Sequence, residues 1–157
     1  RLDIVRDSGF AYDSSRIDFG NHPLYGSIDM HGYDKLSEAV YRSGEFMEFE
    51  ATTLSVLGKN IPISGGGYLR LFPWLLMKTL ISRHLKKNDL YVLYIHPFEL
   101  SQLQVPAVPK STSALTKFRY SYGRHKVVDK IKRLVDLLHS NGYSFTTLSE
   151  IQKEQTL

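Results

Sequence analysis

"YVLYIHPFEL" (residues 91–100) is an apolar run of β-forming residues that ends abruptly in a histidine, a proline and a glutamate. The run shows no polar alternation, which is typical of a strand that is covered on both faces of a parallel sheet. Pro97 restricts His96 to an extended backbone and ends the strand there. We therefore predict a buried strand over residues 91–95 with an imidazole at its carboxyl end.

Strands and helices alternate along the rest of the chain. We predict strands near Phe10, in FMEFEAT (46–52), in YVLYI (91–95) and in YSFTTL (143–148). We predict helices before Gly9, in PWLLMKTLISRHL (73–85), in HKVVDKIKRLVDLLHS (125–140), after Thr147 and, within a long loop over residues 16–45, near DKLSEAV (34–40). This alternation predicts an α/β fold with a mostly parallel sheet.

Several local signals mark where these elements end. Gly9 and the pair Asn141-Gly142 follow apolar helical patterns and are typical helix terminators. TLSE, with Thr147 and Glu150 three residues apart, has the spacing of a capping box for a final helix. The three glycines at residues 65–67 indicate a tight bend or a close approach of the backbone to another group.

Length, charge and cysteine content restrict the class of protein. The 157 residues suffice for one domain with a core, and the absence of cysteine excludes disulfides and thiolate metal sites. No apolar run is long enough to suggest a membrane span. Eight Lys and Arg residues against one Asp between residues 110 and 133 indicate either a patch for anionic polymers or the solvated face of a helix. The bias is weaker than nucleic-acid binding usually requires, so we expect no nucleic-acid partner.

His96 is the strongest candidate for chemistry, because functional groups in parallel α/β folds gather at the carboxyl ends of strands. An imidazole gains and loses a proton near neutral pH, which suits a general acid or base. The alternative is a structural histidine bonded to a neighbouring loop. His22 and His31 lack the spacing of a metal pair. We expect the remaining histidines to lie on the surface of helices; they are His84, His125 and His139.

Four stretches together resemble one known family. They are GFAYDSS (9–15), LGKNIPISGGGYLRLFP (57–73), YVLYIHPFEL (91–100) and KFRYSYGR (117–124). In this order they are similar to the C-terminal half of polysaccharide deacetylases of carbohydrate esterase family four, in particular to the subgroup found beside exosortase and exopolysaccharide loci. The resemblance covers nearly the whole chain.

The resemblance implies a distorted (β/α) barrel and the hydrolysis of N-acetyl groups on the amino sugars of a polysaccharide. It implies a divalent metal, usually zinc, with an Asp as base and a His as acid for the leaving amine. His96 matches that acid. Asp13, at the end of the first strand, either orients the catalytic histidine or bonds its own backbone in an Asx turn.

The resemblance also suggests residues that meet the sugar. These substrate-binding candidates are Tyr68, Arg70 and Glu99. Arg70 can equally be a structural fork that bonds loop carbonyls, and we expect Arg119 to be a structural clamp on the same loop.

This chain departs from the family pattern on the metal side. The family's Asp pair, its His-x-x-x-His-type motif and its Arg-Pro loop do not occur in residues 1–157. We therefore expect a single domain that is the C-terminal portion of a deacetylase barrel, inactive alone, with the metal ligands outside it. Its expected partners are the polysaccharide and either the missing N-terminal half or a second copy of the chain. The alternative is a non-catalytic carbohydrate-binding or scaffold domain; a bacterial cytoplasmic or cell-envelope location stays open.

Overall fold

The computed structural model describes residues 2–19, 28–101, 109 and 111–156. His22, Lys110 and most of the loop after Ser101 lie outside the described residues. The described helices are α1 (Leu2–Asp7), α2 (Gly66–Leu71), α3 (Trp74–Leu85), α4 (Pro97–Leu100), α5 (Ala114–Ser121), α6 (Arg124–Ser140) and α7 (Leu148–Thr156). The described strands are β1 (Tyr12–Asp13), β2 (Asp34–Ser37), β3 (Val40–Ser43), β4 (Phe46–Phe49), β5 (Thr53–Val56) and β6 (Lys59–Pro62).

The larger sheet is mixed and has the strand order β1-β4-β3-β2. β1 runs parallel to β4, with Tyr12 opposite Met47 and Asp13 opposite Glu48. The other two pairings in this sheet are antiparallel. β5 and β6 form a separate antiparallel hairpin.

The expected barrel of mostly parallel strands is wrong. Within the described ranges the sheets do not close on themselves, and β1–β4 is the one parallel pairing between strands. Two isolated bridges, Ile17–Ala51 and Gly65–Tyr94, are also parallel. The physical reason lies in the short connections. β3 and β4 are joined by Gly44 and Glu45 alone, and a two-residue turn can join only antiparallel neighbours.

The predicted strand over residues 91–95 is not formed as a strand. Its backbone makes single contacts on two sides: Thr52 N–H donates to the carbonyl of Val92, and Tyr94 N–H donates to the carbonyl of Ser64. Gly66 N–H also donates to the carbonyl of Tyr94. A longer ladder does not develop, because one neighbouring segment turns into the β5–β6 hairpin and the other into α2.

The helix predicted in DKLSEAV and the strand predicted in YSFTTL are also wrong, because these segments depend on distant partners. DKLSEAV is not helical; it forms β2 and the start of β3. YSFTTL is not a strand, and Phe145 is exposed with its ring against His139. The helices ending near Gly9 and at Asn141, the helix over residues 74–85 and the strand in FMEFEAT are confirmed.

The main core lies between α3, α6 and the segments that lead into α2. Its buried members include Ile63, Leu69, Met77, Ile81 and Leu134. A smaller cluster of Val40, Met47 and Phe49 lies on the larger sheet.

His84 belongs to the interior rather than to the surface, contrary to our expectation. Its Nε2 lies 2.9 Å from the carbonyl oxygen of Leu90. No described helix is long and apolar enough to cross a membrane.

Candidate functional site

His96 lies at the start of α4, where the backbone leaves the extended segment before it. Its φ and ψ of −82° and 137° are extended, and Pro97 occupies the first position of the helix. Pro suits this position, because its fixed φ is helical and its missing N–H would have no helical partner. The residue is exposed. The imidazole therefore lies on the surface, and its backbone is restricted by Pro97 and by the start of α4.

Glu99 lies beneath His96 and is fully buried. Its Oε2 accepts a hydrogen bond of 3.1 Å from the backbone N–H of His96, and its Oε1 accepts one of 3.0 Å from Nε of Arg70. Both carboxylate oxygens are thus occupied inside the protein. The carboxylate holds the backbone of His96 and does not present itself to solvent.

The glycines of GGGY leave room for this arrangement. A Cβ on Gly66 would overlap Oε2 of Glu99, and a Cβ on Gly65 would lie 2.8 Å from the hydroxyl oxygen of Tyr94. The expected close approach of the backbone is therefore an approach to Glu99 and Tyr94. It lets α2 begin directly against α4.

Arg70 links Glu99 to the end of α5. Its Nη1 donates hydrogen bonds to the carbonyls of Tyr122, at 2.9 Å, and Tyr120, at 3.4 Å. The structure thus places Arg70 inside the protein as a fork between Glu99 and two carbonyls. Arg119, which we expected to be a structural clamp on the same loop, is exposed.

Two further cations complete these connections, and neither was predicted from the sequence. Arg124 donates to the carbonyls of Phe98 and Ser101, which lie at the end of α4. Lys130 donates to three carbonyls at the end of α2, those of Leu69, Arg70 and Phe72. Burial lowers the pKa of the Lys130 ammonium. One signal was available for Lys130: it lies one residue before the apolar Ile131, which packs against the main core.

A row of rings extends from His96 across the surface. The ring of His96 meets the edge of Tyr94 at 5.8 Å and stacks on Phe98 at 5.9 Å. Phe98 stacks in turn on Tyr120 of α5, with 5.3 Å between centroids and 20° between planes. The guanidinium of Arg70 lies 5.9 Å from the centre of the Phe98 ring. This row connects the candidate acid to α5.

Tyr68, a substrate-binding candidate, is half-buried on α2. Its ring meets Phe19 at 5.7 Å and Phe72 at 6.1 Å. The structure places Tyr68 on the same short helix as Arg70, with its ring in an aromatic cluster.

Asp13 lies on β1 opposite Glu48. In the described part of the chain, the neighbours of His96 include Glu99 and Tyr94. Oδ2 of Asp13 and Oε2 of Glu48 are buried and accept no hydrogen bond from the described residues. Burial raises the pKa of Glu48 to about 7, and the nearby charge of Asp13 acts in the same direction. The backbone N–H of Arg16 donates to Oε1 of Glu48 at 2.7 Å and opposes this rise. A proton on the Glu48 carboxyl removes the like-charge repulsion with Asp13 and provides a hydrogen-bond donor beside it.

A second buried carboxylate, Glu50, is next to this pair on the same segment. It forms an ion pair with the guanidinium of Arg16, which also lies over the ring of Tyr41. Burial raises the pKa of Glu50, although the charge of Arg16 opposes the rise. Glu48 and Glu50 were not among the residues predicted from the sequence. The available signal was that FMEFEAT places two glutamates inside a predicted strand. The structure buries this whole segment, including both glutamates.

The described residues do not provide a metal site. Within them, no three His, Asp or Glu side chains lie close enough together to hold a metal ion. The zinc implied by the resemblance therefore does not fit the described residues.

The fold and the site define a small mixed α/β domain with a histidine presented at a helix start above a buried Arg–Glu pair. A family model described as a domain of unknown function, DUF3473, matches residues 14–153. The chain belongs to this family. No curated protein and no solved structure matches the chain.

Proposed function

We propose that this domain supplies the general acid of a polysaccharide N-deacetylase site, and that the acid is His96. The observation that carries the proposal is the combination of an exposed imidazole with a firmly held backbone. Glu99 accepts the His96 N–H, and Pro97 fixes the start of the helix. General acids act best when their position is set by rigid elements.

The step assigned to His96 is proton donation. Water adds its oxygen to the acetyl carbon and gives its proton to a carboxylate base outside the described residues, and the bond between that carbon and the sugar nitrogen breaks. The imidazolium of His96 gives its proton to the departing nitrogen, so the products are acetate and a free amino sugar. Without this proton, the nitrogen would leave as an unstable amide anion.

Glu99 and Arg70 act in this proposal as positioning residues. Both carboxylate oxygens of Glu99 are occupied, one by the N–H of His96 and one by Nε of Arg70. Nη1 of Arg70 donates to the carbonyls of Tyr120 and Tyr122. Direct sugar contact through Arg70 or Glu99 would require these bonds to break. Tyr68 is the better candidate for contact with the sugar, because it is half-buried on the same helix.

The resemblance also implies a divalent metal and a carboxylate base. Since the described residues do not form a metal site, we propose no role for a metal bound by these residues. The proposal is that both groups are supplied from outside the described residues. Orientation of His96 by Asp13 stays a prediction from the resemblance.

The test measures release of acetate from N-acetylated oligosaccharides by the whole protein in which this domain occurs, with zinc present. We expect His96→Ala to lower kcat by roughly 100-fold or more, the usual scale for a lost general acid. His31→Ala replaces another exposed histidine and should leave kcat unchanged. Equal activity of the two variants would show that His96 is not the acid.

A second candidate function is carbohydrate binding without catalysis. Exposed aromatic side chains on α5, next to the ring row of His96, favour it. The two functions separate in one experiment, because a binding module retains oligosaccharides and releases no acetate in any variant.

A further inference from the structure

Helix α5 has no buried side chain, although it is rich in large apolar groups. Between 43% and 58% of each of the following residues is exposed: Leu115, Phe118 and Tyr120 in the helix, and Tyr122 directly after it. Helices in folded proteins gain most of their stability from burying one face. A helix that buries none, yet carries several aromatic rings, is typical of a surface that contacts a ligand.

The same segment carries a local positive charge. Lys117 and Arg119 alternate with the aromatic residues, and both are exposed. No Asp or Glu occurs in the sequence between Glu99 and Asp129. A ligand that approaches α5 therefore meets cations without neighbouring acidic residues from this part of the chain, which favours an anionic ligand.

The position of α5 is set relative to His96. Arg70 holds the carbonyls of Tyr120 and Tyr122, and its other hydrogen bond goes to Glu99 beneath His96. Tyr120 also stacks on Phe98, which stacks on His96. A polymer that lies along α5 can thus continue directly to the imidazole.

We propose that α5 binds a polysaccharide chain that bears carboxylate groups, such as uronic acid residues. The rings of Phe118 and Tyr122, 4.7 Å apart, would lie against the flat C–H faces of the sugars. An aromatic face is the negative side of the ring quadrupole and attracts such polarised hydrogens. Lys117 and Arg119 would pair with the carboxylates. This deepens the proposed function, on which it rests for the choice of a sugar polymer.

A single nucleic-acid strand is the other ligand that aromatic and basic residues together can bind. It is disfavoured here because the basic segment is short. Asp129 and Asp136 interrupt the charge along α6, whereas a nucleic acid carries a charge at every nucleotide.

The experiment measures binding by titration calorimetry on the full chain with three probes of similar length. They are an oligomer of alternating glucuronic acid and N-acetylglucosamine, a neutral oligomer of N-acetylglucosamine, and oligouridylate. We expect the uronate oligomer to bind at least about tenfold more tightly than the neutral one, a difference of about 1.4 kcal/mol. Its affinity should fall as NaCl rises from about 0.05 M to about 0.5 M, since salt screens exposed charges.

Matched variants locate the site. Phe118→Ala should weaken uronate binding about tenfold, whereas Phe10→Ala, which removes another exposed phenylalanine, should not. The double change Lys117→Glu and Arg119→Glu should abolish binding. The double change Lys132→Glu and Arg133→Glu, on exposed residues of α6, alters the net charge equally and should have little effect.

Each other outcome overturns the proposal. Equal binding of the neutral oligomer would show that the carboxylates are not recognised. Tighter binding of oligouridylate would show that the ligand is a nucleic acid and not a sugar. Equal effects of the two charge variants would show that α5 is not the binding site. No binding at all has the same meaning. Because the titration needs no turnover, its failure alongside acetate release by the whole protein would leave the role of His96 intact.

Discussion

Nε of Arg70 donates a 3.0 Å hydrogen bond to Oε1 of Glu99, and the two side chains are only 5% and 1% exposed. An ion pair so deeply buried loses the hydration of both charges and contributes through its geometry. Here the geometry joins three segments that are distant in sequence: α2, the start of α4 and the end of α5. The pair therefore organises the surface on which His96 stands.

Glu99→Gln should destabilise the protein by about 3 kcal/mol, because it leaves the buried Arg70 charge without a counter-charge. Urea unfolding at neutral pH measures the difference. The matched control is Glu38→Gln in the exposed pair with Lys35, which should cost less than about 1 kcal/mol. If the two variants unfold at the same urea concentration, the buried pair does not support the fold.

Gly66→Ala should destabilise the protein by about 2 kcal/mol, because the added methyl group overlaps Oε2 of Glu99 and must displace it. Gly67→Ala makes the same chemical change one residue later in α2. Its Cβ would lie 3.7 Å from Oε1 of Glu99, an ordinary contact. Since alanine favours a helix over glycine, Gly67→Ala should be neutral or stabilising by up to about 1 kcal/mol. Thermal unfolding compares the two variants, and the same sign of effect in both would contradict the close approach.

Glu48→Gln should change the pH dependence of stability. The pKa of Glu48 is raised from 4.5 to about 7 in the folded protein. The folded state thus binds this proton more tightly than the unfolded state, and Glu48 makes stability fall as pH rises from about 4.5 to about 7. The neutral glutamine removes this fall and can still donate to Asp13. Above pH 7 we expect the variant to be more stable than the original by on the order of 2 kcal/mol.

Urea unfolding at several pH values between about 4 and about 8 tests this prediction. Glu45→Gln, at an exposed position in the β3–β4 turn, is the control and should leave the pH profile unchanged. If the pH profile of Glu48→Gln runs parallel to that of the original protein, the pKa of Glu48 is not raised in the folded state.

The helix ends show what local sequence can predict. Thr147 and Glu150 form the predicted capping box: Thr147 N–H donates to the Glu150 carboxylate, and Glu150 N–H donates to the Thr147 hydroxyl. Gly9 and Gly142 adopt the left-handed φ of 87° and 83° that ends a helix. These features depend on residues within four positions of each other, so a short window of sequence contains all the information they need.

The predicted strands show where such a window is insufficient. FMEFEAT forms a strand because β1 and β3 lie on either side of it, whereas YVLYI has the same tendency and finds neighbours that turn away. The wrong expectation of a mostly parallel sheet followed from treating every strand-forming segment as a strand with a parallel neighbour, and the barrel itself was implied by the resemblance. A strand exists only when its hydrogen-bonding groups meet a partner, and periodicity does not identify that partner.

By itself the sequence determined the long helices α3 and α6, their ends and the extended backbone before Pro97. Side-chain periodicity and the restricted torsions of proline and glycine act locally and suffice for these. Only the tertiary structure decided that Glu99 and Arg70 face each other, that Asp13 lies beside Glu48 and that α5 exposes its aromatic rings beside His96. Each of these depends on which distant segments lie together, because the burial and pairing that set the energy of a charged or apolar side chain arise only when those segments meet.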